Sequence, residues 1–204
     1  MAIRRTSTLK IVKKTKTIKK YTIDGLTYDS LKLYNYHAEL KKCQKAGLIQ
    51  SFSLIHMDNE NQKSKYHAKK VLINGIQFDS IMESRFYLLL QAFKRTGKII
   101  NFEMQKKFVL IPSFKKNGKT IREIAYIADF VVYGNDGKVD VIDIKGLETP
   151  EFKLKYKMFE RFYPDLTLIC YQYSASKKIW ETLDEIKIRR KQNKKLKKAK
   201  AIEN

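Results

Sequence analysis

An α/β fold with a mixed sheet is predicted for this chain from three observations. A helical pattern follows the Asp79-Ser80 pair, strand-like segments joined by tight turns come next, and a proline-opened helix then leads into a further strand. The helix is read from the Asp-Ser start and the apolar positions Ile81, Leu88 and Leu89 behind it. Lys106–Pro112, Arg122–Tyr133 and Lys138–Lys145 read as strands, separated by the turns Lys116-Asn117-Gly118-Lys119 and Gly134-Asn135-Asp136-Gly137. Pro150 opens a helix to about Tyr163, with Phe152, Tyr156, Phe159 and Tyr163 on one face. Pro164 stops it, Leu166–Tyr173 reads as a fourth strand, and a last helix is expected over about Lys177–Lys198. The order helix, three antiparallel strands, helix, strand makes the second helix a crossover to a parallel neighbour.

An internal duplication precedes this region. Residues 21–52 align with 71–102 at an offset of 50, so that Ile23, Gly25, Asp29, Ser30, Leu40, Gly47, Ile49 and Phe52 recur as Ile73, Gly75, Asp79, Ser80, Leu90, Gly97, Ile99 and Phe102. Each copy reads as a strand, a turn at Asp24-Gly25 or Asn74-Gly75, and an Asp-Ser start to an amphipathic helix stopped at Gly47 or Gly97. Met57–Lys65 is polar and is expected to be a linker. The expected divisions are a basic arm over 1–20, an accessory copy over 21–56, a core over 66–175 and a basic helical tail over 176–204.

The chain has 43 Lys and Arg against 21 Asp and Glu, a net charge of +22. Sixteen of those units sit in residues 1–20 and 187–204, where Lys13, Lys14, Lys19, Lys20, Arg189, Arg190, Lys194 and Lys195 are the candidate phosphate contacts. Such ends suit a nucleic acid; a solubilising tail or a ribosome-binding protein would carry similar charge. Two cysteines, Cys43 and Cys170, exclude a disulfide framework and a thiolate zinc site. No apolar run approaches a membrane span and the basic start lacks a signal-peptide core, so a cytoplasmic location is expected.

The chemistry is expected where carboxylates interrupt apolar strands. With a period of two, Val139, Val141, Asp143 and Lys145 share one face of their strand. Ala125, Ile127, Asp129, Val131 and Tyr133 share one face of the strand before it, which embeds Asp129 among apolar neighbours. A buried carboxylate costs several kcal/mol unless it is paired or ligates a metal. The short turn between the strands allows Asp129 and Asp143 to approach, and a divalent cation would relieve their repulsion. Oxygen ligands without His or Cys favour Mg²⁺ or Mn²⁺. Lys145 could orient a bound water or offset charge on a phosphate, the Ile144 carbonyl could add a ligand, and Glu83 completes the set from its helix. Taken singly, Asp143 and Lys145 could be a surface ion pair, Asp129 a turn cap and Glu83 a solvated helix residue. Their ordered combination argues for a site.

That order, Glu83, Asp129, Asp143-Ile144-Lys145, resembles the PD-(D/E)XK nuclease superfamily, which includes restriction enzymes and some Holliday junction resolvases. More closely, Ile73-Asn74-Gly75, Phe78 through Glu83, Gln105 through Leu110, Tyr126 through Phe130 and Val141 through Gly146 look like a phage-encoded family of unknown function. The resemblance spans about residues 66–172 and implies a restriction-endonuclease-like αβββαβ core, a divalent metal and a DNA substrate. Ala128 stands where the superfamily's leading proline-aspartate pair would have its proline. Gln105 and Lys155 occupy positions characteristic of the family. The activity implied is a Mg²⁺- or Mn²⁺-dependent DNA endonuclease in the host-cell cytoplasm, best suited to branched DNA such as a Holliday junction and acting as a homodimer. A site-specific or flap nuclease, and a DNA-binding module with a vestigial nuclease fold, are the alternatives. Leu33 stands in the first copy where Glu83 stands in the second, so residues 21–52 lack the acidic ligand.

Overall fold

The computed structural model describes residues 20–28, 30–55, 70–145 and 148–202. The expected linker and most of the basic arm, with Lys13, Lys14 and Lys19, lie outside these residues, and Lys20 is exposed. The chain divides into two units, residues 1–49 and 50–204. Among the described residues no helix is long and apolar enough to cross a membrane.

In the first unit, β1 (Tyr21–Ile23) and β2 (Leu26–Tyr28) form a hairpin, and α1 (Leu31–Lys45) follows. Asp24 and Gly25 have φ of 52° and 74°, both left-handed, which a two-residue turn matched to strand twist requires. Tyr28, Leu33, Tyr36 and Leu40 are buried. His37 is buried with them: its ring bonds the Tyr28 hydroxyl at 2.7 Å through Nδ1 and Asp24 at 3.1 Å through Nε2. This histidine ties hairpin to helix.

The second unit opens with β3 (Phe52–Ile55), β4 (Lys70–Ile73) and β5 (Ile76–Phe78), a three-stranded antiparallel sheet, followed by α2 (Ile81–Arg95). β3 lies in the second unit, where the ladder from Phe52↔Ile73 to Ile55↔Lys70 holds it to the second copy. Next come β6 (Ile99–Ile111), a small hairpin of β7 (Phe114–Lys116) and β8 (Lys119–Ile121), then β9 (Ile124–Gly134) and β10 (Val139–Ile144). Then follow α3 (Pro150–Phe162), β11 (Thr167–Ser174), β12 (Ile179–Thr182) and α4 (Leu183–Ile202). The main sheet has the order β12-β11-β10-β9-β6, and β10 with β11 is its parallel pair, with α3 as the crossover. The α/β class and mixed sheet expected from the sequence are thus present.

Both faces of this sheet are covered. Phe152 and Phe159 of α3 join Phe108, Tyr126, Ala128, Val131, Val141, Leu168 and Cys170 in one buried cluster. On the opposite face Phe86 of α2 packs on Phe130 at 5.4 Å, Tyr171 at 5.4 Å and Trp180 at 4.9 Å between ring centres. Phe159 is fully buried, with three aromatic rings within 5.8 Å. Phe159→Ala is expected to cost about 3–5 kcal/mol in urea unfolding, from lost burial plus the cavity left behind.

Two expectations are corrected. The last helix starts at Leu183 rather than Lys177, because Ile179–Thr182 pairs antiparallel with β11 as an edge strand, putting Trp180 against Phe86. Thr182 caps the helix that follows: its hydroxyl accepts from the Glu185 N–H at 3.2 Å, and Glu185 accepts from the Thr182 N–H at 2.7 Å. The faces of β9 also differ. Tyr126 and Ala128 lie with α3 while Phe130 faces α2, and Val131 returns to the α3 cluster. The alternation therefore breaks at Asp129, and Ile127, expected beside it in an apolar row, is 55% exposed. Gln105 on β6, between the pairs Met104↔Phe130 and Lys106↔Ala128, has φ of 52°. Phe102, before it, packs on the α2 side at Tyr87, and Phe108, after it, packs on Phe159. The two strands change faces together at Gln105 and Asp129, the positions that the ladder skips between Met104↔Phe130 and Lys106↔Ala128.

Candidate active site

The reversal at Gln105 and Asp129 is what frees Asp129 from an ordinary strand role. The β9–β10 ladder ends at Phe130↔Ile142, and beyond it the Asp129 carboxylate accepts the Ile144 N–H at 2.7 Å. A side chain thus stands in for the missing ladder bond. Gln105 Nε2 lies 3.4 Å from the other Asp129 oxygen, a long contact beside the 2.7 Å bond that orients the carboxylate. Irregular strands that re-aim a side chain are over-represented next to active sites.

Asp143 sits on the neighbouring strand, on the face of Val139 and Val141, which belong to or pack on the α3 cluster. Only 2% of it is exposed. The Lys145 Nζ is 2.8 Å from its Oδ2 and 4.9 Å from the centre of the Phe152 ring. The apolar ring walls the lysine on one side, so its charge is directed at the carboxylate. Burial, and then the negative charge of Asp143, push the Asp129 carboxyl up to about 7. Glu83 adds to that rise, while the Ile144 N–H and Lys145 oppose it. The phenol of Tyr126 is raised as well, by burial first and then by Asp143. Burial pushes the Cys170 thiol up to about 12, with Asp143 adding to the rise, so it is no nucleophile.

Glu83 reaches the same place from α2. Ser80, the residue before the helix, accepts the Glu83 N–H at 3.1 Å and donates its hydroxyl to Glu83 Oε1 at 2.7 Å, a variant of the capping box in which the carboxylate takes its bond from the cap hydroxyl rather than from the cap backbone. Burial raises the Glu83 carboxyl despite the Ser80 bond, and Asp79 and Asp143 raise it further. Glu83, Gln105 and Asp129 line one cavity of about 240 Å³, together with Asp79, Met104 and Phe130. In the first unit the corresponding Ser30 makes no side-chain cap and Leu33 is buried core.

The structure therefore brings Glu83, Gln105 and Asp129 to one cavity and sets Asp143, Ile144 and Lys145 beside Asp129. It does not bring in Lys155, which pairs with Glu151 at 2.9 Å along α3. Nor is Arg189 free for a ligand: it pairs with the buried Glu181 at 3.0 Å and so anchors α4 to β12, whereas Arg190, Lys194 and Lys195 are exposed. Asp79 and Tyr126 read in the sequence as parts of a helix start and of a strand motif, not as site residues. Asp79 sits next to the cap and Tyr126 three residues before Asp129, and neither motif by itself marks them as facing the site. Among the described residues no three His, Cys, Asp or Glu side chains stand in a ready metal-holding group. What assembles is a desolvated carboxylate pair with Glu83 within electrostatic reach. That donor set fits Mg²⁺ or Mn²⁺, which are held by one or two carboxylates and complete their shells with water and phosphate oxygen.

The architecture and this geometry define a mixed α/β protein with a carboxylate pair and a lysine where the central strands of its sheet meet. The chain belongs to the family described as "Protein of unknown function (DUF1064)", whose model matches residues 63–180, more than half of its length. No curated protein matches it. A solved structure titled "Crystal structure of SSO0001" is similar at 20% identity over 52% of this chain and 54% of that one, with a TM-score of 0.31. The chain thus spans about half of that protein, and at this score the likeness carries no assignment.

Proposed function

We propose that this protein is a metal-dependent DNA endonuclease of the PD-(D/E)XK type, with a restriction-endonuclease-like core made by α2, β6, β9, β10, α3 and β11. The observation that carries this reading is a buried Asp143, 2% exposed and paired with Lys145 at 2.8 Å, on the strand next to Asp129, whose carboxylate is held by the Ile144 N–H at 2.7 Å. Such an arrangement destabilises the protein unless a cation shares the site, so it calls for a functional reason. When bound, Mg²⁺ or Mn²⁺ would polarise the phosphodiester and lower the pKa of a coordinated water. Asp129 and Asp143 would hold the ion, with Glu83 drawn in from the capping box. Lys145 orients the attacking water or offsets the charge developing on the phosphate. Gln105 and the Ile144 N–H keep Asp129 aimed.

The substrate we favour is branched DNA, a Holliday junction above others, cut by a homodimer in the cytoplasm of a phage-infected cell. Two symmetric nicks need two sites, which a twofold dimer supplies. The basic ends would hold phosphates without reading sequence. The test is cleavage of junction, flap, duplex and single-stranded DNA with and without Mg²⁺. Metal-dependent cutting of the junction in preference to duplex is expected. Binding without cutting of any substrate would leave a DNA-binding module with a vestigial site.

Glu83→Gln gives a cleaner probe than alanine, since Gln also serves at the third position of a capping box and leaves the helix start intact. The Mg²⁺ concentration for half-maximal cleavage is expected to rise on the order of tenfold or more. Glu39→Gln, in the first unit, should leave it unchanged. Equal shifts in the two titrations would show that Glu83 has no special place in the site.

A further inference from the structure

We propose that the β7–β8 hairpin is a second DNA-binding element, a ribbon that enters the major groove of duplex DNA and grips the phosphates on its two sides. This rests on the DNA reading above but on binding rather than cleavage. The hairpin stands apart from the main sheet as its own two-stranded sheet, and all six residues of its strands are exposed. Asn117 and Gly118 close it with φ of 52° and 74°. Its pairs are Phe114↔Ile121, Lys115↔Thr120 and Lys116↔Lys119.

Two features are costly in an isolated ribbon. A lone two-stranded hairpin is at best marginally stable in water. Placing Lys116 directly opposite Lys119 makes it less so, because like charges across a pair repel. From Phe114 to Arg122 there are four cations and no acid. None of the four forms an ion pair with another described residue, whereas neighbouring Lys106 and Lys107 pair with Glu103 and Glu123. A polyanion resolves both costs at once. It opposes the unpaired charges and gives the ribbon something to fold against.

Size and reach narrow the partner. Strands in a ribbon lie about 4.8 Å apart, and with side chains such a ribbon fits a major groove about 12 Å wide but not a minor groove of about 6 Å. Phe114 and Ile121, 47% and 42% exposed, share a face with Lys116 and Lys119 and give that face an apolar part for base edges and thymine methyls. The hairpin grows from the strands that carry the candidate site. Ile124, where β9 begins, is five residues from Asp129, roughly 17 Å along a strand or half of a duplex turn of about 34 Å. A duplex at the site would present its phosphates to the ribbon half a turn away.

The test reads affinity of the full chain for a short duplex in EDTA, by fluorescence anisotropy, from about 50 to 200 mM salt. The combined variant Lys115→Gln, Lys116→Gln, Lys119→Gln and Arg122→Gln is expected to flatten the log–log salt slope by about 4 units. Thr120→Lys, adding one cation on the exposed ribbon, should steepen it by about one. Methyl green, which occupies the major groove, should compete with binding, and netropsin, in the minor groove, should not. Slopes equal to the parent's in both variants, or competition by netropsin alone, would overturn the proposal. If slopes shift as expected while no DNA is cut, the ribbon stands and only the nuclease reading falls. Metal-dependent cutting with unchanged slopes gives the opposite result.

Discussion

Asp129→Asn is expected to abolish cleavage and, in the same molecule, to raise the melting temperature of the metal-free protein at pH 8. The Asp129 carboxyl lies at about 7 in the folded chain, against 3.8 ordinarily, with burial the first cause and Asp143 the second. The folded state therefore favours the protonated form. The stability this gives is full below the unfolded value near 3.8 and is lost as pH rises through about 7. Asparagine stays neutral throughout, and its carbonyl can still accept the Ile144 N–H. With the carboxyl at about 7 rather than 3.8, the gain at pH 8 is on the order of 4 kcal/mol, or roughly 8–16 °C for a chain of this size. Melting curves at pH 5 and pH 8 in EDTA check it. The parent should lose stability between them while the variant loses much less, and Mg²⁺ should restore the parent alone. A variant no more stable than the parent at pH 8 would mean that Asp129 is not held in a charge-averse site.

The second large effect concerns Asp143 and Lys145, a buried ion pair in which each member is needed for cleavage while stability depends on whether one charge or both are removed. Either Asp143→Ala or Lys145→Ala should lower cleavage on the order of 10²-fold or more with DNA binding nearly intact. Their stabilities should differ. Asp143 is 2% exposed and Lys145 is its counterion at 2.8 Å, so Lys145→Ala leaves a buried charge unpaired, at a cost of about 3–5 kcal/mol. The double variant Asp143→Asn with Lys145→Met removes both charges and should recover most of that stability with no cleavage. Urea unfolding and a junction-cleavage assay on the same preparations decide it. Near-normal cutting by Asp143→Ala would end the active-site assignment, and a double variant as unstable as Lys145→Ala would end the counterion role.

Much of this protein is set by local chemistry and can be read along the chain. The Asp24-Gly25 and Asn74-Gly75 turns follow from residues that tolerate left-handed backbone. The Ser80 cap with Glu83 follows from a three-residue spacing, and α3 follows from Pro150 and an aromatic face. Tight turns joining β9 to β10, and the helix before β11, make the mixed sheet a consequence of element order. The proximity of Asp129 to Asp143 is legible for the same reason, since adjacent strands joined by a short turn leave few registers.

Other features depend on partners distant in sequence, and only the tertiary structure decided them. Strand β12 exists because Trp180 finds Phe86 on α2 and its backbone finds β11; nothing within Ile179–Thr182 distinguishes it from the start of a helix. The reversal of the sheet at Asp129 cannot be seen in a period of two, because it is made with Gln105, 24 residues away, whose left-handed φ no local pattern announces. The split between Arg189, spent on Glu181, and the exposed Arg190 is invisible in a basic run where each cation looks alike. Sequence determines what a segment can do with its own neighbours. Which face a side chain shows, and which charges remain unspent, is settled only when packing brings remote segments together and burial makes an unpaired group costly.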